Sequence, residues 1–387
     1  MPRLRSVIVA LLFAGLTAAV VAQAPPTPAD PKAKAPEVKA PDAKAPDAKA
    51  PEVKAPEAKA PTPAPVPEPA PKAPDAKPPE VKAPEAKADD KIALTLKLEK
   101  GKAFYEKMST VVIQKLKVQG QDLSQNQEQT FVFEWMPEKQ EGDKWTLKMK
   151  IIQVKMKIDI SNNTIEYDSA NKNATGPVGA PGLTDFFKNL VDSEFTVLFN
   201  AKENKVEKVD GRDAFIKRLS SGNTQLEGLL RKILTEEAER QMTDPTFGLL
   251  PAEPKAMGAT WDSKSTLNLG PIGSYEVANK STVKSKEKDD VNVEIVPTLT
   301  YKLPSDAGEA LLFKIKSGEI KSETTTPGSM RYDAKAGRII EAKIPVKLQG
   351  TLDVTIGGTD TKIELRQEQT TTVSMSDTNP TLTPEKK

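Results

Sequence analysis

The chain has 387 residues, yet residues 25–90 hold 19 of its 33 prolines and no aromatic side chain, so that stretch cannot bury a core. It contains neither His nor Cys, which excludes Ser-His-Asp triads, Cys-His nucleophiles, imidazole bases, ordinary zinc sites, disulfides and iron–sulfur clusters. From Gln23 onward 54 basic residues balance 54 acidic ones, leaving no positive excess to displace counterions from a nucleic acid.

The N-terminus carries Arg3 and Arg5, then 16 uncharged, mostly apolar residues from Val7 to Ala22, ending in Val20-Val21-Ala22. This pattern predicts a secretory signal over residues 1–22, cleaved after Ala22. The apolar run falls short of the roughly 20 residues that span a bilayer as a helix, so a cleaved signal is favoured over an anchor. No transmembrane span is expected after cleavage. The expected location is the periplasm or cell envelope of a bacterium.

Residues 23–90 read as a spacer. Prolines recur every five residues at 31, 36, 41, 46, 51, 56 and 61, and again at 69, 74, 79 and 84. Each fixes its own φ and biases its predecessor toward extended geometry, which predicts polyproline II. With 11 Lys against 12 Asp plus Glu over residues 25–90 the spacer is close to neutral. Two readings stand: an inert solvated tether, or a segment that docks on peptidoglycan or another envelope partner.

A globular domain is expected over residues 91–378. Leu94, Leu96 and Leu98 alternate with polar neighbours, and Phe104, Met108, Val112, Leu116 and Val118 hold even phase, as half-buried strands require. Phe131, Phe133 and Trp135 follow in odd phase. Leu147, Met149 and Ile151 then give way to Ile152, Val154, Met156, Ile158 and Ile160, a phase change that predicts a β-bulge near Ile151–Ile152. So long a strand suggests a large, strongly curved antiparallel sheet.

The middle of the chain, about residues 181–243, reads as helical. Leu183, Phe186, Phe187, Leu190 and Val191 lie on one helical stripe behind Pro181-Gly182. A second helix is expected over Asp210–Leu219. A third starts from a capping box of Thr224 and Glu227, carries Leu226, Leu229, Leu230, Ile233 and Leu234 inward, and stops at Asp244-Pro245.

Alternation resumes after Trp261. Val291, Val293, Ile295, Leu299, Tyr301 and Leu303 share one face, as do Ile340, Ala342, Ile344, Val346, Leu348, Leu352, Val354 and Ile356. Gly357-Gly358 predicts a hairpin turn, with Ile363 and Leu365 on the returning strand. Residues 379–387 read as a flexible tail. The fold class is therefore α+β and mainly β, with two or three short helices mid-chain.

An internal echo crosses this order. Lys100-Gly101-Lys102-Ala103-Phe104 resembles Met257-Gly258-Ala259-Thr260-Trp261, and the run from Asn200 to Val206 resembles the run from Tyr332 to Ile339. Two related β-halves would explain it; so would the recurrence of similar hairpins in any β-rich chain.

The signal, the Pro-rich spacer, the Leu-x-Leu-x-Leu-x-x-Gly opening at Leu94–Gly101 and the stretch Gly328–Ile344 resemble an uncharacterised family of exported bacterial β-rich proteins known only as a domain of unknown function. The Asp333–Gly337 turn is also similar to a hairpin of periplasmic lipoprotein carriers of the LolA and LolB kind. That second resemblance implies a curved antiparallel sheet wrapped around short helices and an apolar cavity. Neither brings a catalytic residue.

The remaining chemistry is limited. Asp289-Asp290 and the group Glu236, Glu237 and Glu239 are carboxylates of the type glycosidases use. Their positions, at a hairpin tip and on the polar side of the third helix, predict a solvated surface. Ser281-x-x-Lys284 and Ser285-x-x-Lys288 fall in a strand-like stretch, where i and i+3 point apart. No catalytic residue, cofactor or metal ligand is expected, nor an enzyme or a nucleic-acid partner. Trp135, Trp145 and Trp261 are expected in the core. Two non-enzymatic functions remain. One is binding of a lipid or other apolar ligand in the curved sheet, with Phe186, Phe187, Leu190, Met149 and Met156 as its lining. The other is a structural or protein-interaction module held on the spacer.

Overall fold

The structure is a computed structural model and describes residues 91–160, 163–171, 181–268, 273–304, 313–356 and 358–382. The signal segment with Ala22, the spacer, and the side chains of Ile160 and Leu183 lie outside the described residues. Thirteen strands form a single sheet: β1 (Phe104–Val118), β2 (Gln121–Glu141), β3 (Lys144–Ile160), β4 (Asn163–Asp168), β5 (Glu194–Asn200), β6 (Lys205–Asp210), β7 (Thr260–Asn268), β8 (Ser274–Glu287), β9 (Asp290–Lys302), β10 (Phe313–Ser322), β11 (Gly328–Asp333), β12 (Arg338–Ile356) and β13 (Thr359–Ser376). Their order is β6-β5-β3-β2-β1-β13-β12-β10-β9-β8-β7, with β4 beside β3 and β11 between β12 and β9. All the pairings are antiparallel.

Four helices are described: α1 (Pro181–Leu190), α2 (Arg212–Ser220), α3 (Thr224–Ile233) and α4 (Glu236–Phe247). Helix α4 packs on β6 and on β7, the first and last strands of the sheet path. Laid flat, that path would separate its two ends by roughly 48 Å at about 4.8 Å per strand, whereas α4, with 12 residues, is only about 18 Å long. The sheet therefore curls until both edges meet one helix.

Side chains follow the strand period. The concave face takes the even positions of β1 and the odd positions of β2, and the phase change in β3 is the bulge expected from the sequence. Val132 pairs with Gln153 and Phe133 with Ile151, so Ile152 is the extra residue. Leu147, Met149, Ile151, Val154, Met156 and Ile158 accordingly all stay buried. Trp135, Phe199 and Phe247 meet at the helix-covered end of this face, with ring centroids 5.0 Å apart for Trp135–Phe247 and 4.8 Å for Phe199–Phe247.

Both echoes in the sequence are echoes in structure. The path β1-β2-β3, then β4 and β5 end to end along β3, then β6, recurs as β7-β8-β9, then β10 and β11 end to end along β9, then β12. The Asn200 side chain accepts from the amides of Lys202 and Glu203, and Asp333 accepts from those of Lys335 and Ala336. Each turn closes on a left-handed residue, Asn204 at φ 50° and Gly337 at φ 67°. Each is followed by a one-residue bulge, at Glu207 and Ile340. Gly101 and Gly258, both at φ 76°, start the two halves.

Three expectations are corrected. The Leu94–Leu98 stretch pairs with no strand of the sheet, and the bridge beside it, from Ile92 to Lys255, lies outside the strands; it is an extended segment laid over the concave face, where Tyr332 Oη donates to Thr95 O at 2.6 Å, Arg338 to Lys97 O at 2.6 Å and Lys97 N to Gly337 O at 3.4 Å. Its alternation reflects burial without strand pairing. The cap of α3 is Asn223, whose Oδ1 accepts from Leu226 N at 2.9 Å, while Glu227 pairs with Arg231 instead of closing a box with Thr224. The expected third helix is two helices, broken at Leu234-Thr235, where Thr235 Oγ1 accepts from Ala238 N at 3.1 Å. The second of them passes Asp244-Pro245 and ends at Phe247, whose buried ring holds the extra residues in place.

Candidate functional site

The residues picked out from the sequence lie deep in the core. Phe186, Phe187, Leu190, Met149 and Met156 are all buried. Phe187 stacks on Tyr167 of β4 at 5.3 Å and meets Phe186 edge-on at 6.0 Å. Met149 and Met156 do share the concave face, as their phase in β3 requires. Trp135, Trp145 and Trp261 are buried too.

The accessible apolar surface of the concave face is elsewhere, at the middle of β2, β1 and β12. Met108, Phe131, Phe133 and Ile344 are half-buried there, while most apolar residues around them are closed off. Phe131 and Phe133 stack with centroids 6.0 Å apart, and Phe131 sits directly across from Met108 in the strand register. The helix-borne aromatics are paired elsewhere: Phe247 with Trp135 and Phe199, Phe215 with Phe195, and Phe187 with Tyr167 and Phe186.

Beside the patch, away from the Trp135–Phe247 end, the concave face turns polar. Register places Gln125, Gln114 and Gln367 side by side on β2, β1 and β13; the next rung holds Gln127, Val112 and Gln369, and the one after it Gln129, Thr110 and Thr371. The amides are chained: Gln125 Nε2 to Gln127 at 3.4 Å, Gln127 Nε2 to Gln129 at 3.1 Å, Gln114 Nε2 to Gln367 at 2.9 Å, Gln367 Nε2 to Gln369 at 3.2 Å and Gln369 Nε2 to Thr371 at 3.3 Å. Gln127 Nε2 also donates to Met156 Sδ at 3.7 Å, which joins one sequence-selected residue to the band. Gln114 is 0% and Gln125 2% exposed, yet the side-chain oxygen of each has no donor. A buried acceptor without a donor costs about 1–3 kcal/mol. Followed across the sheet, the same set of rungs reaches Asn279 and Ser281 on β8, whose side-chain oxygens are likewise buried and unpaired.

A second buried polar group lies outside this face. Glu239 of α4 is 6% exposed with no partner for either carboxylate oxygen, which corrects the expectation of a solvated glutamate. Burial raises its pKa to about 8, against a smaller lowering by Arg212. Arg212 itself is spent on the carbonyl oxygens of Arg231, at 2.9 Å, and Leu234. Glu237, by contrast, pairs with Arg240 at the surface.

The family of unknown function DUF6263 matches residues 142–339, half of the chain. The chain belongs to that family. The region shared with other DUF6263 chains runs from the turn before β3 to the start of β12 and contains all four helices, Asn279 and Ser281, but none of the glutamines of the band. No curated protein matches the sequence. Among solved structures it is similar to lipovitellin, described for its lipid–protein interactions, at 11% identity and a TM-score of 0.35, over 74% of this chain and 27% of that one. The chain therefore spans about a quarter of the lipovitellin chain. It is also similar to an outer-membrane channel of Pseudomonas putida at 7% identity and TM-score 0.20, covering 75% of this chain and 99% of the channel. A DUF1329 family protein of Desulfovibrio piger is similar at 9% identity and TM-score 0.13, covering 71% and 84%. Likenesses at these scores assign no activity. No helix among the described residues is long and apolar enough to cross a membrane.

Proposed function

We propose that this DUF6263 chain is an exported, non-enzymatic envelope protein that holds an apolar or lipid-like ligand against the concave face of its sheet. The observation that carries the reading is that Met108, Phe131, Phe133 and Ile344 are half-buried on a face where most other apolar residues are buried. Two stacked phenylalanines and a flexible methionine left accessible suit an acyl chain better than a rigid ligand. Export rests on the Arg3/Arg5 start, the apolar run to Ala22 and the small-residue cleavage site. The proline-repeat spacer then acts as a tether that lets the domain reach across an envelope layer.

The test is mass spectrometry of organic extracts of the purified protein together with titration of Nile red. Near-stoichiometric acyl compounds and micromolar dye binding are expected. Phe131→Lys should abolish dye binding with the far-ultraviolet circular dichroism unchanged. Phe187 is unsuited to that experiment, because a charge at a fully buried ring would unfold the domain. Empty extracts together with no dye binding overturn the reading and leave the chain as an interaction module on a spacer.

A further inference from the structure

We propose that the glutamine band reads the polar end of an amphipathic ligand, and that this end is an uncharged hydrogen-bond donor of the monoacylglycerol type. The inference rests on the apolar-ligand reading above and adds the chemistry of the head group. The band and the apolar patch are adjacent levels of one concave face. Phe131 and Met108 lie one rung below Gln129 and Thr110 and three rungs, about 20 Å, below Gln125 and Gln114, so a ligand headed at that last pair lays its chain over the rungs between and down toward the patch.

Charge argues for a neutral head. On the three rungs of the band none of the residues paired side by side from β3 through β2, β1, β13 and β12 is ionisable: Met156 and Ile158, then Gln, Thr and Val, then Ile344, Val346 and Leu348. The nearest inward-facing ionisable residue of β1 is Glu106, two rungs below Thr110 and bonded by Trp135 Nε1 at 3.0 Å. A carboxylate or phosphate desolvated here would find no counter-charge on these rungs, and burying an unpaired charge is far more costly than burying a hydroxyl.

Orphan acceptors argue for a donor. Gln114 and Gln125 face each other across β1 and β2, and both leave a side-chain oxygen without a hydrogen. Their nitrogens are committed to Gln367 and Gln127. What the pair lacks is therefore O–H or N–H groups. A glycerol head, with two hydroxyls on adjacent carbons, supplies both from one molecule, whereas an ester or a methyl end supplies none.

The experiment displaces Nile red from the purified protein with monodecanoylglycerol or with methyl decanoate, an uncharged ester of the same chain that has no donor. Monodecanoylglycerol is expected to compete at a concentration about tenfold lower, the worth of roughly one well-made buried hydrogen bond. In Gln114→Leu/Gln125→Leu that preference should vanish while Nile red affinity is kept. Should the double variant lose its circular dichroism, Gln125→Met takes its place, and a preference reduced by several-fold is expected. Equal competition by methyl decanoate in the wild type, or a preference that survives in the folded variant, overturns the head-group proposal while leaving apolar binding intact. Failure of the wild type to bind Nile red at all defeats the apolar reading and the head-group proposal with it.

Discussion

The two halves of the sheet start alike and finish differently. Each has a Gly at φ 76° ahead of its first strand, an Asx-stabilised turn closed by a left-handed residue, and a bulge two residues beyond that turn's exit. After the turn, the first half makes a strand of six residues and passes into helices, while the second makes one of 19 residues and returns as β13 to pair with β1. Phe199 and Tyr332 hold the same place in the two halves, each one residue before the Asx side chain. The first is spent on α4 through Phe247; the second ties down the extended segment through Thr95. Local turn chemistry thus fixes the template, and the inward ring of each half touches a different cover of the concave face, a helix in one and the extended segment in the other.

The largest effect should come from the first of these rings. Phe199 is fully buried, so Phe199→Ala should cost about 3–5 kcal/mol in urea unfolding. A loss below about 1 kcal/mol would mean that α4 does not depend on this contact to seal the gap between β6 and β7.

Helix α4 exists only in the first half's continuation, and it carries the unpaired Glu239. Its folded pKa, about 8, stands above the ordinary 4.5, so the folded state prefers the neutral acid. Stability from this group is fully present below about pH 4.5 and is lost as pH rises toward 8. A difference on the order of 3 kcal/mol between pH 5 and pH 9 is expected, and Glu239→Gln should flatten it. If the substitution leaves the pH slope of the melting temperature unchanged, the dependence comes from other groups.

These two residues also mark what the sequence made legible. The Ile151–Ile152 phase change predicts the bulge because period-two burial leaves no other way to keep both runs inside. The hairpin echo is visible because Asx and left-handed positions are a local chemistry. Glu239 reads as solvated because three glutamates in four positions look like an exposed helix face, and only the meeting of both sheet edges on α4 buries one of them. Leu94, Leu96 and Leu98 alternate as a strand would, but burial alone produces the same period. The glutamine band had a readable signal: Gln125, Gln127 and Gln129, with Gln367 and Gln369, sit at inward phase where a strand normally carries apolar side chains. That β1 joins the two runs depends on the pairing of β1 with β13, some 260 residues apart in the chain, which no local pattern reveals.

The left-handed turn residues separate the halves again, with a smaller effect. A Cβ at Gly337 would take up φ 67° and press on Lys97, with its Cβ and backbone nitrogen 2.7 Å away. Gly337→Ala is expected to cost about 2 kcal/mol, from positive φ and from displacement of the extended segment. At the matching position the first half already carries Asn204, and Asn204→Ala should lose less backbone energy but also the bond from Nδ2 to Pro251 O at 2.8 Å. Equal losses in the two turns, with the Lys97 segment unperturbed in hydrogen exchange, would show that the segment is not seated on Gly337.

The smallest effect sharpens the comparison most. Burial holds the Tyr332 phenol up to about 12, so it remains a donor throughout the physiological range, and it donates at 2.6 Å to Thr95 O. Tyr332→Phe keeps the buried ring and removes the bond, for an expected loss of about 1 kcal/mol. The loss should be local: the segment from Ile92 to Leu98 should exchange its amide hydrogens faster while β11 and β12 stay protected, because Arg338 still bonds Lys97 O and Asp377. If protection instead falls across the whole second half, Tyr332 supports the sheet as Phe199 supports its own half, and the two rings do the same work. If it falls only in the segment, one repeated position has been put to two uses, sealing an edge in one half and fastening a cover in the other.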